Sequence, residues 1–212
     1  MQAHHLTVPR TARYHTLGDA AKARAIWIVL HGYGQLARYF LRKFEGLEDG
    51  LLIAAPEALS RFYTDEDHSR VGATWMTRED REAEIGDQCS YLDALAHELC
   101  SLTPGGTPLH VLGFSQGVAT ACRWSLQGRT TIHKLVLWAG SLPLEPSGIQ
   151  LHAAWKQVDL HVVLGSQDPY AGEKELQQQA ARLRDAGLRH RMHRFHGGHV
   201  LEPVLLAELL GA

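Results

Sequence analysis

Leu109-His110-Val111-Leu112-Gly113-Phe114-Ser115-Gln116-Gly117 passes from an apolar, strand-like run through a glycine-flanked serine into Val118–Leu126, a stretch with helical spacing. A strand that reverses this sharply into a helix holds the central residue in a strained turn. There the hydroxyl of a G-x-S-x-G serine is exposed and available as a nucleophile. A side chain at Gly113 or Gly117 would collide with the neighbouring strand or helix, so glycine at both positions has a steric reason. A pentapeptide of this form also arises by chance in a chain with 20 glycines. The strand before it and the helix after it give Ser115 its weight as a candidate, against the alternative of an ordinary turn with a capping serine.

The same alternation recurs along the chain. Apolar runs at Ile26–Leu30, Leu51–Ala55, Leu109–Gly113, Lys134–Trp138 and Leu160–Leu164 predict strands, with a more polar one at His190–Phe195 near a sheet edge. Helical patterns are expected at 37–48, 80–100, 116–126, 172–186 and 201–210. Continuously apolar strands separated by helices predict an α/β fold, a doubly wound, mostly parallel sheet with helices on both faces. Leu6–Leu17, interrupted by Pro9, predicts an antiparallel hairpin at the opposite edge, within residues 1–20. Pro56–Thr77 breaks the alternation and carries Arg61, Phe62, Tyr63, Trp75 and Met76. Long loops of this kind either shape a site or are pinned to the body by their aromatics.

With 212 residues and 45% hydrophobic content the chain is expected to form one domain. Its 21 Lys and Arg against 23 Asp and Glu, with no basic block, make nucleic acid an unlikely partner class. Met1–Arg10 lacks the pattern of a secretory signal and no stretch is long and apolar enough to span a bilayer, so a cytoplasmic protein without stable membrane insertion is expected. Cys89, Cys100 and Cys122 show no C-x-x-C spacing and are expected as buried, reduced thiols. The 14 histidines are scattered without metal-ligand spacing, so no metal and no cofactor is expected. Oligomeric state is open, a homodimer included.

A serine hydroxyl needs a base within hydrogen-bond reach and a third group to orient that base. In a doubly wound sheet the loops at the strand carboxyl ends gather at one edge. Leu160–Leu164 runs into Gly165-Ser166-Gln167-Asp168-Pro169, and His190–Phe195 runs into His196-Gly197-Gly198-His199. Both lead to the end where Ser115 lies. Asp159 competes with Asp168 for the acid role but precedes its strand, at the opposite end. His196 competes with His199, which is favoured because two glycines free its loop to approach the turn. Oxyanion donors are expected from the main-chain N–H of Gln116, at a helix N-terminus, and of Tyr33 in His31-Gly32-Tyr33-Gly34-Gln35. Tyr33, Trp75 and Met76 are the expected substrate contacts.

These segments together resemble the carboxylesterase and phospholipase family of small, lidless α/β-hydrolases, which includes the acyl-protein thioesterases. The resemblance rests on Leu30-His31-Gly32-Tyr33-Gly34, Gly113-Phe114-Ser115-Gln116-Gly117, Gly165-Ser166-Gln167-Asp168-Pro169 and Gly198-His199, and extends over residues 24–210. It implies a three-layer α/β-hydrolase core without a lid domain, a triad of Ser115, Asp168 and His199, and an oxyanion hole from the Tyr33 and Gln116 amides. It implies hydrolysis of a small-molecule ester or thioester of small or medium acyl chain through an acyl-serine. Tyr33 and Gln35 stand where acyl-protein thioesterases usually carry a small or leucine residue and an aspartate. The stretch Trp75–Arg81 also departs from their substrate-side loop, which points to ester hydrolysis over long-chain protein deacylation. Acyl transfer to a peroxide or amine on the same residues, and a catalytically silent lipid- or protein-binding module, are the competing expectations.

Overall fold

The computed structural model describes residues 1–170 and 172–212. Its strands are β1 (Tyr14–Leu17), β2 (Ala25–Leu30), β3 (Leu51–Pro56), β4 (Ser60–Tyr63), β5 (Val71–Thr74), β6 (Leu109–Phe114), β7 (Lys134–Trp138), β8 (Asp159–Gly165) and β9 (Arg191–Phe195). Its α-helices are α1 (Ala37–Leu41), α2 (Arg81–Leu102), α3 (Gln116–Gln127), α4 (Gly148–Trp155), α5 (Glu173–Asp185) and α6 (Pro203–Leu210). Seven strands form one sheet in the order β1-β3-β2-β6-β7-β8-β9, parallel throughout except for β1 against β3.

Alternation along the central strands divides the core into two layers. Ile26, Ile28 and Leu30 of β2 face one side, with Leu92 and Leu99 of α2, Val118 and Trp124 of α3 and Trp155 of α4. Trp27 and Val29 face the other, with Phe40 and Phe44 and with Leu206 and Leu209 of α6. Burial on both faces is why these strands read as unbroken apolar runs. Strand order reverses at β2, whose neighbour is β3 on one side and β6 on the other. In an open α/β sheet, ligands bind in the crevice at the carboxyl ends of the strands flanking such a switch point. Here those ends are Leu30 and Gly113, paired in register.

Several local expectations are corrected. The hairpin over Leu6–Leu17 is a single strand, Tyr14–Leu17, which takes its partner from β3 and leaves Leu6 and Val8 exposed. Residues 37–48 make one α-helical turn and a 3-10 turn at Arg42–Phe44, stopped by Gly46 at φ 86°. Pro56–Thr77 contains the antiparallel pair β4–β5, a second small sheet. Helix α4, absent from the sequence-based expectation, starts at a capping box in which the Ser147 hydroxyl and the Gln150 side chain reciprocally serve the first turn. Cys89 and Cys122 are buried, but Cys100 is exposed on α2. Burial pushes the Cys89 thiol up to about 11 and Cys122 up to about 12, so neither is a thiolate at neutral pH. No helix among the described residues is long and apolar enough to cross a membrane.

Histidines buried in and beside the sheet make the stability of the fold pH-dependent. Burial, then the charges of Lys134 and His133, lower the His110 pKa to about 4, and burial lowers those of His31 and His161. In the unfolded chain each takes up its proton near pH 6.5. Between those values the unfolded state binds more protons, so stability is full above pH 6.5 and is lost as pH falls toward 4. Denaturant unfolding across this window should show that slope. His110→Leu should flatten it by up to about 1.4 kcal/mol per pH unit; an unchanged slope would remove His110 from the account.

Candidate active site

Strand β6 ends at Phe114 and α3 begins at Gln116, so Ser115 alone makes the turn. It does so at φ 55°, ψ −118°, a left-handed conformation that costs a non-glycine residue roughly 1–3 kcal/mol. Ser115 N–H donates to Trp138 O at 2.9 Å, and Ser115 O accepts from Val118 N–H at 3.0 Å. A Cβ at Gly113 would lie 2.4 Å from Gly117 O, and one at Gly117 would lie 2.3 Å from Leu30 O. Both glycines are therefore required by close backbone approach. Ser115 is partly exposed, and its hydroxyl makes no hydrogen bond among the described residues.

Two strands further along the sheet, β8 leads into the loop carrying Asp168. Its side chain is fully buried. Oδ1 accepts from Tyr170 N–H at 2.9 Å and Oδ2 accepts from His199 Nδ1–H at 2.8 Å. The carboxylate can only accept, so His199 carries its proton on Nδ1 and leaves the Nε2 lone pair open. The His199 ring packs 4.9 Å from that of Phe114, the residue before Ser115, and edge-on 4.8 Å from Tyr170. Its side chain is 19% exposed. His196 is exposed and makes no side-chain hydrogen bond among the described residues. Asp159 lies at the start of β8 and bonds His161 and Arg191.

The loop after β2 is built around a buried histidine. His31 Nε2 accepts from Ala58 N–H at 3.1 Å, which fixes the other proton on Nδ1, where it donates to Gly32 O at 2.7 Å. Burial lowers the pKa of His31 and keeps it neutral. Gly32 N–H donates to Gln35 Oε1 at 2.9 Å, and Gly34 N–H to Ala73 O of β5 at 2.9 Å. Among the described residues, the main-chain N–H groups of Tyr33 and Gln116 have no acceptor.

Trp75 and Met76 occupy positions different from those expected of substrate contacts. Trp75 is 2% exposed, and its indole N–H donates to His31 O at 2.8 Å, so the ring braces the loop from beneath. Met76 packs against the core, and its thioether accepts from Arg123 at 3.3 Å. Tyr33 is 62% exposed beside Phe62, at 5.1 Å between ring centres. One role went unread in the sequence, the side chain of Gln116. Its Oε1 accepts from Trp75 N–H at 3.2 Å and its Nε2 donates to Met76 O at 3.1 Å, fastening β5 to the serine turn. Among the described residues, no group of three or more His, Cys, Asp or Glu side chains could hold a metal ion.

No protein-family model and no curated protein matches this sequence. Solved structures do. Esterase PE8 superposes with a TM-score of 0.73 at 21% identity, over 95% of this chain and 97% of its own. Acyl-protein thioesterase 2 of Zea mays gives 0.71 at 21% identity over the same shares. The Bacillus cereus carboxylesterase gives 0.69 at 14% identity, over 94% of this chain and 92% of its own. The chain has the α/β-hydrolase fold. In this fold the strained serine, the Asp168–His199 pair and the Tyr33 and Gln116 amides all lie at the carboxyl ends of the parallel strands.

Replacing Trp75 with Phe removes the donor to His31 O and leaves a buried carbonyl unpaired. Urea denaturation should register a loss of about 1–3 kcal/mol; an unaltered midpoint would mean the indole N–H does not hold the loop.

Proposed function

We propose that this α/β-hydrolase cleaves carboxylic esters or thioesters of small or medium acyl chain, with Ser115 as nucleophile, His199 as base and then acid, and Asp168 as orienting carboxylate. The observation that carries the reading is the 2.8 Å bond from His199 to the buried Asp168, on a ring packed against the residue preceding a positive-φ serine. The fixed Nδ1 proton leaves Nε2 as the one nitrogen able to take a proton from Ser115. Ser115 and His199 share no hydrogen bond among the described residues; catalytic hydrogen bonds commonly tighten only in the substrate complex. The names of the superposed esterase, thioesterase and carboxylesterase support the same reaction class.

In the proposed reaction Ser115 Oγ attacks the carbonyl carbon as its proton passes to His199 Nε2. The carbonyl oxygen becomes an oxyanion, and the open N–H groups of Tyr33 and Gln116 supply its donors; the α3 N-terminus adds a favourable dipole. Collapse of the tetrahedral intermediate breaks the carbon–oxygen or carbon–sulfur bond, with His199 returning the proton to the departing alcohol or thiol. Water then repeats the sequence on the acyl-serine. Tyr33 and Tyr170, both exposed, flank this centre.

Mixing with p-nitrophenyl butyrate should give a burst of nitrophenolate stoichiometric with enzyme or a steady release, abolished in either case by Ser115→Ala. Asp168→Asn should lower kcat by roughly 10⁴-fold, because the wrong histidine tautomer is then favoured. Full turnover by Ser115→Ala would end the proposal. A parallel panel of acyl-CoA substrates separates ester from thioester preference.

A further inference from the structure

Between α2, α3 and α4 lies a cavity of about 450 Å³ whose walls do not include Ser115, Asp168 or His199. The volume falls within the range of small-molecule sites. Ile85, Leu126 and Ala154 give it an apolar side, and Arg81, Glu82, Arg123 and Glu145 form its charged side.

The hydrogen bonds on that side are unevenly met. Arg123 is nearly buried, with a side chain 12% exposed. Its Nη2 donates to Glu145 at 3.0 Å and its Nη1 reaches only the weakly accepting thioether of Met76 at 3.3 Å. Its Nε is buried and has no acceptor among the described residues. Arg81 contacts the same Glu145 carboxylate. Its other partner, Glu82, is 82% exposed at the rim, where water screens the pair. The two arginines are thus matched in number by Glu82 and Glu145, but the donors of Arg123 are not all met, since Nε has no acceptor among the described residues and Nη1 only a sulfur. Burial, and then the charge of the neighbouring Arg81, lower the proton affinity of Arg123, and Glu82 acts against them.

We propose that this cavity is a second binding site, which takes a small aliphatic carboxylate, its carboxyl group received by Arg123 and Arg81 and its chain by Ile85, Leu126 and Ala154. Guanidinium is well suited to carboxylate, because its planar N–H groups match two oxygens at once. An apolar ligand would leave the open donors of Arg123 unmet, and a cation would meet two arginines. The inference does not depend on the proposed hydrolysis, although a carboxylic acid is also the class of product that reaction would release. Binding at this cavity must therefore be told apart from binding near Ser115.

Calorimetric titration with sodium octanoate, on the wild-type chain and on Ser115→Ala, makes that distinction. Both should bind octanoate at one site with similar affinity, and octan-1-ol should bind about tenfold or more weakly. Arg123→Gln should weaken octanoate binding by about tenfold or more, and Ala154→Phe should abolish it by filling the apolar end while leaving both arginines in place. If Arg123→Gln does not fold, judged by its thermal transition, the more exposed Arg81→Gln replaces it with the same expected direction. No heat of binding up to millimolar octanoate would overturn the proposal. So would octan-1-ol binding as tightly as octanoate, affinity indifferent to both the arginine and the Ala154 substitutions, or loss of binding in Ser115→Ala.

Discussion

The positive-φ turn at Ser115 is the constraint around which the rest of the site is arranged. A serine at φ 55° is strained by roughly 1–3 kcal/mol, and it stays there only because its surroundings allow no relaxed alternative. The β6–β7 ladder continues through the Ser115 N–H to Trp138 O, which fixes the residue before the turn. Val118 N–H to Ser115 O fixes the residue after it. Between those anchors the helix must start against β2, and only glycine fits where Gly117 meets Leu30 O at 2.3 Å from a would-be Cβ. A looser helix–sheet contact would let the backbone relax and turn the hydroxyl inward. Close packing of α3 on the sheet therefore has a functional consequence as well as a stabilising one.

A second network holds the loop opposite that turn. Ala58 N–H, the two His31 nitrogens, the Trp75 indole and the Gln35 side chain form a sequence of buried hydrogen bonds around residues 31–35. The Gln116 side chain ties the same β5 segment to the start of α3. Buried polar groups ordinarily find partners. Among the described residues, the loop satisfies its neighbouring groups and leaves the Tyr33 amide without an acceptor, as the helix start leaves the Gln116 amide. Under the proposed mechanism these two donors, on segments braced to one another through Trp75 and Gln116, are the groups that meet the developing oxyanion.

Much of this was legible from residue order. Continuous apolar runs such as Ile26–Leu30 identified strands covered on both faces, and the chain order of Ser115, Asp168 and His199 placed all three at one edge. Position relative to the strands separated Asp168 from Asp159, since a residue before a strand and one after it lie at opposite ends. What escaped depended on contacts between distant segments. Trp75 looks like a surface aromatic in a loop, because nothing local shows that its indole meets His31 O. The β4–β5 pair was hidden by charged and small residues whose pairing partner lies across a turn. Helix α4 carried a readable signal, Ser147-x-x-Gln150 followed by Leu151 and Trp155, but its eight residues were too few for periodicity to stand out. Pro9 and the exposed Leu6 and Val8 explain the missing hairpin, because a hairpin at a sheet edge needs a buried face to fix its register and this segment has none.

The two ends of the sheet use the same residue types to different effect. At the start of β8 and β9, His161 spends both nitrogens, donating from Nε2 to Asp159 at 3.0 Å and accepting at Nδ1 from His193 at 2.9 Å, and is 4% exposed. At the other end, His199 spends only Nδ1 and keeps its second nitrogen without a partner among the described residues. An imidazole with both nitrogens engaged can contribute to stability but cannot accept a proton without breaking a bond. One with a carboxylate behind it and a free lone pair in front meets the requirement for a base. Composition, with its 14 histidines, cannot separate these cases; the number of open nitrogens on each ring can. Under the proposed mechanism it follows that a substitution at His161 acts on the fold, while one at His199 acts on turnover.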